Sequence, residues 1–106
     1  MRLFKLAVHV PLSHADAVRA AIGKAGGGKI GNYEFCSFSV RGVGRFRPGA
    51  GTDPHIGEVG KLEEVDEERI EVTVDAAILK DVVAAIKSVH PYEEVTIDVY
   101  QLEAVE

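Results

Sequence analysis

The chain has no tryptophan, a single cysteine, a single methionine and four prolines. With Cys36 alone, an intrachain disulfide framework is excluded, and the cytoplasm is the expected compartment. No apolar run approaches the roughly twenty residues that span a bilayer. Met1-Arg2-Leu3-Phe4-Lys5 lacks the long apolar core and small-residue cleavage site of a signal peptide, so no membrane association is expected. Positive charge is the scarcer sign, with 12 Lys and Arg against 17 Asp and Glu and a net charge of −5. That balance excludes general nucleic-acid binding, which needs a basic stripe to neutralise phosphates, but it leaves room for a local anion site. No Ser, His and Asp arrangement and no pair of carboxylates stands out for catalysis.

What is present fits one domain spanning residues 1–106, near the common size for a unit built around one core. Arg2 to Val10 alternates, with Phe4, Leu6, Val8 and Val10 on one side and Lys5, Ala7 and His9 on the other, which predicts a strand ended by Pro11. Ser13 and Asp16 resemble a capping box for a helix carrying Ala17, Val18, Ala21, Ile22 and Ala25, and Gly26-Gly27-Gly28 breaks that helix. Tyr33 to Arg41 predicts a second strand with Cys36, Phe38 and Val40 inward, and an inert buried thiol at Cys36. Leu62 to Asp75 leaves an acidic patch, expected to be solvated, and becomes a third strand with Ile70, Val72 and Val74 on one face. Asp75 is the expected N-cap of a second helix bearing Ile78, Leu79, Val82, Val83, Ile86 and Val89, and Pro91 stops it. Tyr92 to Leu102 predicts the last strand.

Strand, helix, strand, strand, helix, strand is the order of an α+β, ferredoxin-like βαββαβ fold, a four-stranded antiparallel sheet with two helices on one face. The open face is then expected to carry Lys5, His9, Ser37, Ser39, Arg41, Arg69, Glu71, Thr73, Thr96, Asp98 and Tyr100. A face of that mixed polarity is either solvated or closed against other copies in a homo-oligomer.

Between the second and third strands lies a glycine-rich stretch, residues 42–60, with Gly42, Gly44, Gly49, Gly51, Gly57, Gly60, Pro48 and Pro54. Glycine and proline both weaken regular elements, so the whole stretch is expected to be a long ordered loop anchored by Phe46, Ile56 and Val59. Two readings stand for it. One is a long hairpin connection; the other is a ligand site formed by Arg45, Phe46, Arg47, Gly49, Gly51 and His55, with backbone N–H groups and arginines facing an anion. It lacks the setting of a dinucleotide fingerprint and the ending of a phosphate loop. Two readings also stand for His90, in the run His90-Pro91-Tyr92-Glu93-Glu94: a helix stop, or a ligand for a divalent metal together with Glu93 and His9.

Ile30-Gly31-Asn32-Tyr33, Cys36-Ser37-Phe38, Gly42 through Pro48, Ile56-Gly57, Glu68-Arg69-Ile70-Glu71, His90 through Glu94 and Asp98-Val99-Tyr100 together resemble the insert domain of the Ngg-one interacting factor three family. Members of that family are also labelled GTP cyclohydrolase I type 2-like. The resemblance runs from Arg2 to Leu102 and implies a stand-alone copy of the insert. The family's two-metal site lies in flanking domains whose His, Asp and Glu motifs this chain does not contain, so the resemblance implies a non-enzymatic role. It also implies a fold similar to PII signalling and CutA-type proteins, hence a homo-oligomer with a trimer as the expected form, and a protein partner as a further expectation. A segment of the CutA-type proteins is similar to His90-Pro91-Tyr92-Glu93, which implies a divalent metal as the one cofactor to consider.

Overall fold

The computed structural model describes residues 2–105. The elements follow in the expected order: β1 (Leu3–Pro11), α1 (Ala15–Lys24), β2 (Phe38–Phe46), β3 (Glu63–Asp75), α2 (Leu79–Val89) and β4 (Ile97–Gln101). The sheet order is β2-β3-β1-β4 and every neighbouring pair is antiparallel, which is the ferredoxin-like arrangement. None of the described helices is long and apolar enough to cross a membrane.

Alternation in β1 and β3 builds the core as the sequence predicts. Leu6, Val8 and Val10 lie beside Ile70, Val72 and Val74, and Ala15, Val18 and Ile22 of α1 with Val82 and Ile86 of α2 close over them. Asp75 caps the turn into α2 by accepting a hydrogen bond from the Ala77 amide at 2.9 Å, although a short 3-10 turn, Ala76–Ile78, comes before the helix proper. The Ser13 capping box does not form. Ser13 Oγ instead meets His14 Nδ1, and Asp16 pairs with Arg19 at 2.6 Å.

β2 departs most from expectation. It begins at Phe38 rather than Tyr33, because Phe35 takes a left-handed φ of 57° that breaks the extended run. It also continues through Gly42, Val43 and Gly44 to Phe46, so the first part of the glycine-rich stretch is strand and only residues 47–62 form the loop. Its faces are inverted. Ser39 lies opposite Ile70 and Arg41 opposite Glu68, which puts both on the helix side, while Phe38 and Val40, opposite Glu71 and Arg69, lie on the open face and are 66% and 51% exposed. The cause is α1: Arg19 reaches over β2 and donates to Ser39 Oγ and Glu68, so polar residues are required where an apolar face was expected. Cys36 precedes the strand and is half-buried rather than enclosed in the core.

β1 pairs with β3 only as far as Pro11 opposite Glu67, whereas β2 and β3 stay paired to Phe46 opposite Glu63. The far end of that hairpin therefore projects as a two-stranded arm, and the molecule measures 48 × 22 × 22 Å. The corner where the arm leaves the sheet positions the candidate site.

Candidate functional site

Three parts of the chain meet at this corner. The arm supplies a floor, residues 90–96 between α2 and β4 supply a wall, and the loop 47–62 folds back as a roof. Residues 92–96 are irregular rather than the start of the last strand, held in line by the His9 amide donating to the Thr96 carbonyl at 3.3 Å. The loop is fastened at its base by the Gly60 amide to the Pro48 carbonyl at 2.8 Å. Near its tip, the Asp53 amide donates to Glu93 Oε1 at 2.9 Å. His55 packs between His14 and Tyr92, with ring centroids 6.0 and 6.2 Å away. The space beneath is a cleft of about 690 Å³, within the range of small-molecule sites.

Tyr92 is the hinge of the wall. Its ring lies 6.4 Å from Phe46 and 4.9 Å from His90, and its hydroxyl donates to Glu67 Oε2 at 2.8 Å. Burial, reinforced by the Glu67 carboxylate, pushes the phenol well above its ordinary pKa. Glu67 itself is only 8% exposed. It sits opposite Gly42, and its carboxylate lies across Gly44, where a β-carbon would come within 2.5 Å of the carboxyl carbon. A side chain on Gly44 is thus incompatible with this placement.

His90 is buried, at 7% exposure. Its Nε2 donates to the His9 carbonyl at 2.7 Å, and its Nδ1 accepts from the Tyr92 amide at 3.2 Å. Since a carbonyl can only accept and an amide can only donate, the ring is the neutral Nε2–H tautomer. Desolvation lowers the His90 pKa below its ordinary value, and the bond to the His9 carbonyl and the charge of Glu67 oppose it. His9, on the open face, accepts at Nε2 from Arg69 at 3.1 Å.

Of the residues singled out in the sequence, Arg45, Phe46, His55, His9 and Glu93 line the cleft. Gly49, Gly51 and Arg47 belong to the loop or its entry but do not line it, and Arg45 is turned toward Glu64 across the hairpin at 3.1 Å. For His90 to ligate a metal it would have to release either the His9 carbonyl or the Tyr92 amide. Among the described residues, no group of three His, Cys, Asp or Glu side chains is placed to hold a metal ion. Sequence reasoning passed over Glu67, which it assigned to a solvated acidic patch. No sequence window carried the signal: Glu67 pairs with Gly42, and its carboxylate crosses the diagonal neighbour Gly44, an approach that only the folded sheet creates.

No family model matches the chain. It is similar instead to one domain-sized part of larger proteins. A GTP cyclohydrolase 1 type 2 homolog of Halalkalibacterium halodurans is 50% identical over 100 residues, which is 94% of this chain and 27% of that protein. The structure of a Bacillus cereus protein related to NIF3 superposes with a TM-score of 0.86 at 45% identity, over 97% of this chain and 26% of that one. CutA from Xylella fastidiosa superposes with a TM-score of 0.71 at 15% identity, covering 98% of this chain and 86% of that one, and this shows the fold alone. The resemblance to the insert of the Ngg-one interacting factor three family is thereby supported along nearly the whole chain, which spans about a quarter of the length of the curated relatives it matches.

Proposed function

We propose that this chain is a non-enzymatic, cytoplasmic binding domain that works as a homo-oligomer and takes a small ligand in the cleft beneath the 47–62 loop. The observation that carries this reading is the fastening of the loop, through Asp53 and His55, over a cavity large enough for a small molecule. Loops without secondary structure of their own at this length are commonly functional. Phe46 and His55 would contact the ligand, and Arg45 would meet it at the rim. The test is a thermal-shift screen against nucleotides and divalent metals, because a ligand that binds only the folded state raises its apparent stability. A shift in the wild type that is lost in Phe46→Ala supports the cleft; a shift preserved in that variant locates binding elsewhere.

Homo-oligomerisation draws support from Phe38, Val40 and Tyr100, large side chains exposed on the open sheet face, and from the fold shared with CutA. A divalent metal held by His90, Glu93 and His9 is a second reading. It is favoured by His9 and Glu93 sharing the cleft and by His90 resting on the His9 carbonyl. Equilibrium dialysis with copper, zinc and nickel tests it, and absence of stoichiometric binding at micromolar metal overturns it.

A further inference from the structure

The cleft floor holds a carboxylate with an unused acceptor. Tyr92 fixes Glu67 through Oε2, and Oε1 accepts no hydrogen bond from the described residues. More than nine-tenths of Glu67 is buried, and it lines the cleft. Since no enclosed side-chain oxygen among the described residues lacks a partner, Oε1 opens onto the cleft, where a donor arriving in place of water completes its hydrogen bonding. The arginines near it among the described residues do not supply one. Arg45 is paired with Glu64, Arg69 with Glu71, and Arg41 lies opposite Glu68 on the other face of β2 from Gly42 and Gly44.

The surroundings restrict what the donor can be. Beside Glu67 stand the rings of Phe46 and Tyr92, and Val40, Pro48, Pro54 and Ile56 add apolar surface. A compact, strongly hydrated ammonium gains little from such walls. A planar, delocalised cation is weakly hydrated, stacks on aromatic faces and presents parallel N–H groups to a carboxylate. Glu93 and Glu94 also line the cleft, and the chain as a whole carries −5, so the long-range field favours a cation.

Resting on the reading of the cleft as a ligand site, we infer that its ligand carries a planar amidinium or guanidinium group, which donates to Glu67 Oε1 and lies against Tyr92 and Phe46. Two sources share this chemistry, a free guanidino compound and an arginine side chain presented by a peptide. Titration calorimetry of the full chain with benzamidine, agmatine, N-acetyl-arginine amide and, as a point-charge control, N-acetyl-lysine amide separates them. Binding of agmatine and benzamidine alone identifies a free small molecule; binding of the blocked arginine as well identifies a presented side chain. In either case the lysine analogue binds at least tenfold more weakly, and Glu67→Gln weakens binding at least tenfold. Glu67→Asp, which keeps the charge and withdraws the carboxylate by one methylene, loses binding similarly, so a folding defect in one variant does not leave the result open. Equal affinity for the arginine and lysine analogues, or unchanged affinity in a folded Glu67 variant, overturns the inference. Failure of all four probes also overturns it. The cleft reading still stands in that event if a nucleotide shifts the melting temperature in a Phe46-dependent way, and falls with it if none does.

Discussion

Glu67, Tyr92 and His90 are three polar groups taken out of water at one corner of the sheet, and their partners can be removed singly. Tyr92→Phe deletes the one donor to the Glu67 carboxylate among the described residues while keeping the ring. Leaving a buried acceptor without its partner costs about 1–3 kcal/mol, so chemical denaturation should show a loss of that size. Gly44→Ala forces a β-carbon into the Glu67 carboxylate and is expected to destabilise by about 1–3 kcal/mol, as overpacking does. His90 is held neutral by desolvation, with a folded-state pKa below the ordinary 6.5. The unfolded chain therefore binds the extra proton first as pH falls. His90's contribution to stability is complete above about pH 6.5 and is lost as pH falls from there through the lowered folded pKa. The melting temperature measured from pH 8 to pH 5 should fall more steeply in the wild type than in His90→Gln. Parallel curves would assign the acid sensitivity to other groups.

At the scale of elements, β1, β3, α1 and α2 were readable in the sequence because each has one apolar face and one partner layer, so periodicity alone orients them. Ile86→Ala, within the buried stripe of α2, should accordingly cost about 2–5 kcal/mol in denaturant unfolding. β2 was not readable in the same way. It is an edge strand whose inner face is filled by Ser39 beneath Arg19, and its alternation fits either orientation until the pairing with β3 fixes the register. Its glycines looked like loop residues because glycine disfavours strands locally, yet Gly44 sits where the Glu67 side chain crosses the strand, a tertiary demand that no window of sequence contains. The cleft was legible in part: Phe46 and His55 were readable as candidates, whereas the buried carboxylate beside them was hidden in a run of acidic residues that includes a second buried one, Glu68. Asp53→Pro removes the amide that Glu93 accepts, and hydrogen exchange across residues 50–58 should quicken while the amides of β1 and β3 stay protected.

The whole molecule is a small helix-covered sheet with a projecting arm, and its open face leaves Phe38, Val40 and Tyr100 in contact with solvent in the single chain. If that face closes against other copies, sedimentation equilibrium should give a mass that is a multiple of 11.4 kDa. Phe38→Asp, which places a charge on the open face opposite Glu71, should shift the population toward the single chain without unfolding it. A mass of one chain at all concentrations would remove oligomerisation from the account. The fold is shared with proteins below 25% identity, so it carries no function by itself; the corner between arm, wall and loop is where this chain's own residues speak.

The central claim is that this corner binds a ligand through Glu67. Its most direct test is a titration of isotopically labelled protein with benzamidine, followed by backbone amide shifts. The account predicts saturable changes confined to residues 40–46, 52–56 and 92–96 around Glu67, absent in Glu67→Gln. Changes at open-face residues away from the cleft, such as Lys5, Thr73 and Tyr100, or none at millimolar benzamidine, would contradict it.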